Sequence, residues 1–167
     1  MDQDLFGSGE AGERTDGVTV RFDLGPDLPL RSEGMWARRI ARGTYLVTNI
    51  PYFAVGVSYL DVVRAEPAED GRLWAGEVVQ RSGNVTVQLM ITEEDDAAAG
   101  RGSAEFLRRL GLLDVAHEVH PAYALVSMSV AEFDDVDGLL DLLCWAETSG
   151  LGIWQCSSCR PWWHART

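Results

Sequence analysis

Val85-Thr86-Val87-Gln88-Leu89-Met90-Ile91 places Val85, Val87, Leu89 and Ile91 on one side of an extended chain and Thr86, Gln88 and Met90 on the other. Alternation with a period of two marks a strand with one face buried. Downstream the period changes. Phe106, Leu107 and Leu110 make the apolar face of a short helix near Ser103–Gly111, with Ser103 as its N-cap and Gly111 as its stop. Two strands are expected next, Leu113–Val119 and Ala122–Val130, joined at His120-Pro121. A second helix follows over Asp135–Thr148, where Val136, Leu139, Leu140 and Leu143 recur at helical spacing, Asp134 or Asp135 caps the start and Gly150 ends it. Leu151–Ser157 supplies a last strand. The order β-α-β-β-α-β over residues 83–157 is that of a ferredoxin-like sandwich.

Upstream the chain is rich in strands. Val18, Val20, Phe22 and Leu24 alternate with Thr19, Arg21 and Asp23 until Gly25, Pro26 and Pro29 stop the run. Gly34–Ile40, Thr44–Ile50, Asp61–Glu66 and Arg72–Gln80 follow, with turns at Arg42-Gly43 and Glu69-Asp70-Gly71. Short, regularly spaced strands over residues 17–82 point to a small barrel or strongly curled sheet, with Pro51–Tyr59 as a loop over its mouth. Residues 1–16, with five acids, three glycines and only Leu5 and Phe6 as large apolar side chains, read as a disordered acidic tail. Residues 158–167 form a tryptophan- and cysteine-containing C-terminal tail. The expected class is α+β: a curled β-sheet or barrel, then the ferredoxin-like half.

Composition excludes several chemistries. The 167 residues carry 26 acids against 14 basic residues, for a net charge of -12, and every basic residue is arginine. Without lysine there is no P-loop lysine, Schiff-base lysine or lysine general base. The acidity opposes nucleic-acid binding, which needs a basic stripe, and the expected central strands offer only Tyr123 for base stacking. The longest apolar runs fall short of the roughly 20 residues of a membrane helix. The acidic, glycine-rich start is the reverse of a signal peptide, so a cytoplasmic protein is expected. Three cysteines do not make a disulfide framework. Glycines 7, 9 and 12 follow no strand and are no dinucleotide fingerprint, and Glu93–Asp96 lacks the spacing of a calcium loop.

The tail holds the most suggestive chemistry, Cys156-Ser157-Ser158-Cys159-Arg160-Pro161-Trp162-Trp163-His164. Cys156, Cys159 and His164 are possible zinc ligands, with Cys144, His117 or His120 available as a fourth. A redox dithiol is a second reading, although Pro161 and the short remainder leave little room for the helix that activates such pairs. The simpler reading is a strand end and an aromatic tail that packs on the body or on a partner. His117 reads as a sheet-face histidine and His120 as a solvated turn residue. No serine lies in a nucleophile-elbow sequence. A second group is Tyr52, Phe53, Tyr59, Asp61, Arg81, Ser82 and Asn84. Aromatics with an acid, a base and an amide can line a ligand pocket; alternatively the aromatics plug the barrel end while Asp61 and Arg81 pair across strands.

Asn49-Ile50-Pro51-Tyr52-Phe53-Ala54, Gly56-Val57-Ser58-Tyr59, Asp61-Val62-Val63 and Arg81-Ser82-Gly83-Asn84-Val85-Thr86 resemble the pattern of the bacterial domain-of-unknown-function family 4265, over roughly residues 18 to 157. The resemblance implies a small soluble bacterial protein and transfers no catalytic residue. Two positions depart from the pattern: Leu60 stands where glycine is expected before the aspartate, and Asn84 where histidine is expected after Ser-Gly. The cysteine and tryptophan tail lies outside the pattern.

Two functional expectations follow. One is a non-enzymatic binding protein, regulatory or immunity-type, whose acidic surface takes a basic protein or peptide, or alternatively a small-molecule sensor. The other is an enzyme or accessory protein in peptide modification or metabolite biosynthesis, using the Tyr52, Asp61 and Arg81 group or the CxxC tail. A homodimer through sheet edges, anchored by Trp162 and Trp163, is a further expectation. No cofactor other than zinc is implied. Residues 1–91 hold 13 acids and 9 arginines, and residues 92–167 hold 13 acids and 5 arginines, so a basic partner is expected on the second half.

Overall fold

Val20 and Phe22 do turn inward together, on strand β1 (Gly17–Asp23) of a computed structural model that describes residues 17–28, 30–92 and 96–165. The acidic segment 1–16, Pro29 and the acids Glu93, Glu94 and Asp95 lie outside the described residues. After β1 come β2 (Ser32–Ala41), β3 (Thr44–Val47), β4 (Val62–Pro67) and β5 (Leu73–Gln80), each antiparallel to the one before. The curled sheet closes where β1 meets β5 in parallel, at Val20–Leu73 and Arg21–Trp74. Register shifts in β2–β3 and β4–β5 supply the bending that closure of a short-stranded sheet requires. Val20, Phe22, Met35, Ala37, Tyr45, Val47, Val63 and Ala65 fill the interior, with Ala54 and Val57 from the segment between β3 and β4.

Described residues up to Asn84 form one compact unit and those from Val85 a second. In the second unit, β6 (Val85–Ile91), α1 (Asp96–Leu112), β7 (Ala116–His120), β8 (Leu125–Val130), α2 (Val136–Thr148), β9 (Gly152–Ser158) and the single turn α3 (Pro161–His164) follow in chain order. Their four strands make an antiparallel sheet in the order β7-β8-β6-β9. Val85, Val87 and Leu89 of β6 and Val126, Met128 and Val130 of β8 share a core with Phe106 and Leu110 of α1 and Leu139, Leu142, Leu143 and Ala146 of α2. Residues of opposite parity on β6 and β8, Thr86, Gln88, Ser127 and Ser129, are buried but polar, and Gln88 accepts a 2.9 Å hydrogen bond from Gln155 of β9.

Several boundaries differ from the sequence expectation, for local reasons. α1 starts at Asp96, because Ala97, Ala98 and Ala99 are strong helix formers; Ser103 is an interior residue, not the cap. The strand expected from Leu113 begins only at Ala116, because Asp114 has φ 55° as the chain leaves the helix. The strand expected from Ala122 begins at Leu125, because Pro121 opens a 3₁₀ turn to Tyr123 and Ala124 has φ 47°. That turn brings Tyr123 edge-on to His120, 4.9 Å between rings, so His120 is buried and not solvated. α2 is capped by Asp135, which accepts from the Gly138 N–H at 3.0 Å. A helical turn does form after Pro161, where none was expected, and buries Trp163 in the core of the second unit. On the surface of α1, Arg108 and Arg109 donate to Glu105 and hold its carboxyl down from 4.5 to about 2. Among the described residues no helix is long and apolar enough to cross a membrane.

Two glycines test this packing with opposite signs. A Cβ on Gly152 would overlap the Met90 carbonyl oxygen, whereas one on Gly100, within α1, meets nothing within 4 Å. Gly152→Ala is expected to destabilise the protein by about 1–3 kcal/mol. Gly100→Ala is expected to stabilise it by roughly 0.5–1 kcal/mol. Urea unfolding midpoints at constant slope measure both.

Candidate functional site

Residues 48–61, between β3 and β4, belong to no strand, so their backbone N–H groups need partners from elsewhere. Two carboxylates supply them. Glu33, near the start of β2, is buried; its Oε1 accepts from the Tyr52 N–H at 2.7 Å, and its Oε2 from the N–H groups of Phe53 at 2.9 Å and Ala54 at 2.7 Å. Asp61 is 0% exposed and takes the other end. Its Oδ2 accepts from the Ser58 N–H at 3.1 Å, and its Oδ1 from the Ser82 N–H at 2.7 Å and the Ser82 hydroxyl at 3.0 Å.

The segment after β5 completes this arrangement. Arg81 lies 3.3 Å from Asp61 Oδ2 and also donates to the Gly56 carbonyl. Gly83 has φ 92°, a backbone conformation that suits glycine, and Asn84 then donates through Nδ2 to the Tyr59 carbonyl at 3.1 Å. Leu60 is held at φ 65° between hydrogen bonds from Leu60 N–H to Val47 O and from Val47 N–H to Asp61 O, each 3.0 Å. A left-handed conformation is awkward for a leucine and natural for a glycine. The glycine of the resembled pattern therefore falls where the backbone asks for one.

Of the seven residues singled out from the sequence, Tyr59, Asp61, Arg81, Ser82 and Asn84 are brought into one hydrogen-bonded cluster, Tyr59 through its carbonyl. Tyr52 and Phe53 are anchored separately, by Glu33. The barrel core takes Ala54 and Val57 from this segment rather than its aromatic rings. Glu33 was missed because the strand was expected from Gly34. Its signal is parity: Glu33, Met35 and Ala37 are buried on alternate positions of β2, so an acid stands first in an inward-facing row. Chemically, the cluster holds a long connection in place; the oxygens of both carboxylates are engaged with the fold itself. A shallow groove elsewhere on the same unit, along β4 and β5, is lined by Arg64, Glu66, Pro67 and Trp74 and includes none of these residues.

In the tail, Cys156 and Cys159 are joined in a disulfide, and in that form neither offers a thiolate to a metal. His164 is exposed, and among the described residues no three His, Cys, Asp or Glu side chains come together as metal ligands. Cys144 is exposed on α2, and His117 Nδ1 lies 3.0 Å from the Val115 carbonyl.

A family model described as a domain of unknown function (DUF4265) matches residues 33–154, most of the chain. The chain belongs to this family. The matched region begins at Glu33, contains both carboxylate anchors and ends before Cys156. Among solved structures, the chain is similar to one titled "Novel crystal structure of a hypothetical protein from Neisseria gonorrhoeae", at 17% identity and a TM-score of 0.66, covering 89% of this chain and 97% of that one. That likeness is one of fold. No curated protein matches the chain.

In this member of the DUF4265 family, substitution weighs each anchor separately. Asp61→Ala strips partners from buried N–H groups and should cost about 3 kcal/mol. Arg81 keeps 49% of its side chain exposed, so Arg81→Ala should cost about 1 kcal/mol or less. Equal losses in urea unfolding would refute the anchoring role of Asp61. Leu60→Gly should stabilise the fold by about 1 kcal/mol, read as a raised unfolding midpoint.

Proposed function

We propose that the protein is a non-enzymatic binding protein of regulatory or immunity type that works in the cytoplasm and takes a basic protein or peptide on the acidic surface of its second unit. The observation that carries this reading is an exposed acidic surface on the second unit. Glu132, Asp141 and Glu147, before and along α2, are exposed, as are Asp135 and Asp137, which also serve the helix start, whereas Asp61 is buried and spends its hydrogen bonds on the fold. Phe133 stands among these acids 91% exposed, an apolar contact inside an acidic field. Two of the few arginines in this unit, Arg108 and Arg109, are engaged by Glu105. Complementary charge would accelerate encounter with a basic partner, and the aromatic would slow its release. The β-α-β-β-α-β order with strand order β7-β8-β6-β9 supports reading this unit as ferredoxin-like, an architecture that by itself leaves function open.

The test is capture from extracts of the source organism at low salt, followed by stopped-flow binding with the purified partner. A basic partner is expected, with an association rate falling about tenfold or more between about 50 and 300 mM salt. The Asp137→Asn/Asp141→Asn variant should slow association, and Phe133→Ala should mainly speed dissociation. A partner without basic character, or rates indifferent to salt and to these substitutions, would refute the proposal.

A further inference from the structure

The disulfide between Cys156 and Cys159 plays no part in the binding surface. It links the end of β9 to the residue just before Arg160, the N-cap of α3, with the Cα atoms 5.8 Å apart. Both cysteines are half-buried against the core of the second unit, within reach of a small thiol. As a staple the bond does little, because entropic stabilisation by a disulfide grows with the loop it closes and this ring holds only the residues from 156 to 159. The flanking chain has its own anchors: Ser158 pairs with Thr86 in the sheet, and Trp163 is 2% exposed in the core. Those anchors keep the two sulfurs near each other whether or not they are bonded, which favours re-formation of the bond. The Arg160 guanidinium donates to the Cys159 carbonyl at 3.2 Å and to Ser158 Oγ at 3.1 Å, which ties down the segment around the second cysteine. Exchange needs a thiolate to reach one of the two sulfurs, and half-buried cysteines allow that approach.

We propose that Cys156 and Cys159 form a reversible dithiol–disulfide switch that controls the docking of α3. The reductant is a low-molecular-weight thiol or a dithiol. Its thiolate attacks one sulfur, the Cys156–Cys159 bond breaks, and the departing cysteine thiolate takes up a proton. A second thiol of the reductant then resolves the mixed disulfide. Two electrons and two protons enter the pair, and the reductant leaves as its own disulfide. In the bonded form the ring fixes the approach to Arg160, whose carbonyl accepts from the Trp163 N–H at 3.0 Å. In the dithiol form that approach is free, and α3 depends on the Trp163 side chain for its hold.

The full chain carrying Cys144→Ser, which removes the exposed third thiol, tests this. It is equilibrated in graded glutathione and dithiothreitol buffers, its thiols are trapped with maleimide, and the products are weighed by mass spectrometry. A reversible two-electron transition is expected under native conditions. Amide exchange at Trp163 and His164 should run about tenfold faster in the dithiol form, and the Cys156→Ser/Cys159→Ser variant should exchange like it. A pair that stays reduced in excess oxidised glutathione, or that dithiothreitol opens only after denaturation, would overturn the couple. Equal exchange in the two forms would overturn the control of α3.

Discussion

The first unit depends on two buried carboxylates doing the work that a sheet ladder does elsewhere. The connection from residue 48 to 61 belongs to no strand, although at its ends Thr48 and Leu60 donate to the Trp36 and Val47 carbonyls, and a buried unpaired N–H costs about 1–3 kcal/mol. Glu33 accepts three such groups in a row, and Asp61 accepts one from the same connection and one from Ser82. Because a carboxylate accepts only, and through two oxygens, it suits a run of donors that no single carbonyl could serve. With the connection held by both carboxylates, Ala54 and Val57 are delivered into the core that the five strands enclose.

The second unit rests on apolar packing instead. Alternate residues of β6 and β8 and the inward stripes of α1 and α2 form one core, into which α3 adds Trp163. Here the carboxylates just before α2 serve its start: Asp135 caps the helix, and Asp134 accepts from the Ala131 N–H at 2.7 Å ahead of it. A carboxylate lost from the first unit strands several buried donors, whereas one lost from these caps leaves groups that water can reach. The same residue type therefore carries unequal energetic weight in the two units.

This difference also explains what was legible in the sequence. Strands such as Val85–Ile91 and helices such as Val136–Thr148 are written in the periodicity of apolar residues, which packing enforces. The early start of α1 was hidden because Gly100 and Gly102 interrupt an alanine-led helix. The 3₁₀ turn after His120 was hidden because its decisive contact, Tyr123 on His120, spans three residues and follows no period. Asp61, Arg81 and Ser82 were legible as a group only through their resemblance to a pattern. Their role was not, because the partners of Asp61 and Asn84 are mostly backbone atoms, which every residue possesses. The parity of β2 could place Glu33 inside, but its role was hidden for the same reason: nothing in Tyr52, Phe53 or Ala54 as side chains announces that their amides require an acceptor.

An acidic composition is then not one property but two. Glu33 and Asp61 are acids that the fold consumes, and their charges are matched by N–H dipoles and, for Asp61, by Arg81. Before and along α2, Asp134 and Asp135 accept from backbone N–H groups and Asp137 stands in the first turn, where negative charge favours the helix start, whereas Glu132, Asp141 and Glu147 are exposed to water. Asp141 stands four residues after Asp137, past the first turn, and like charges at that spacing repel, so Asp141 brings α2 no benefit as a helix. Asp141 and the exposed acids Glu132 and Glu147, with Phe133 91% exposed beside Glu132 in the chain, are therefore what the proposed encounter with a basic partner rests on, rather than the acids that cap α2.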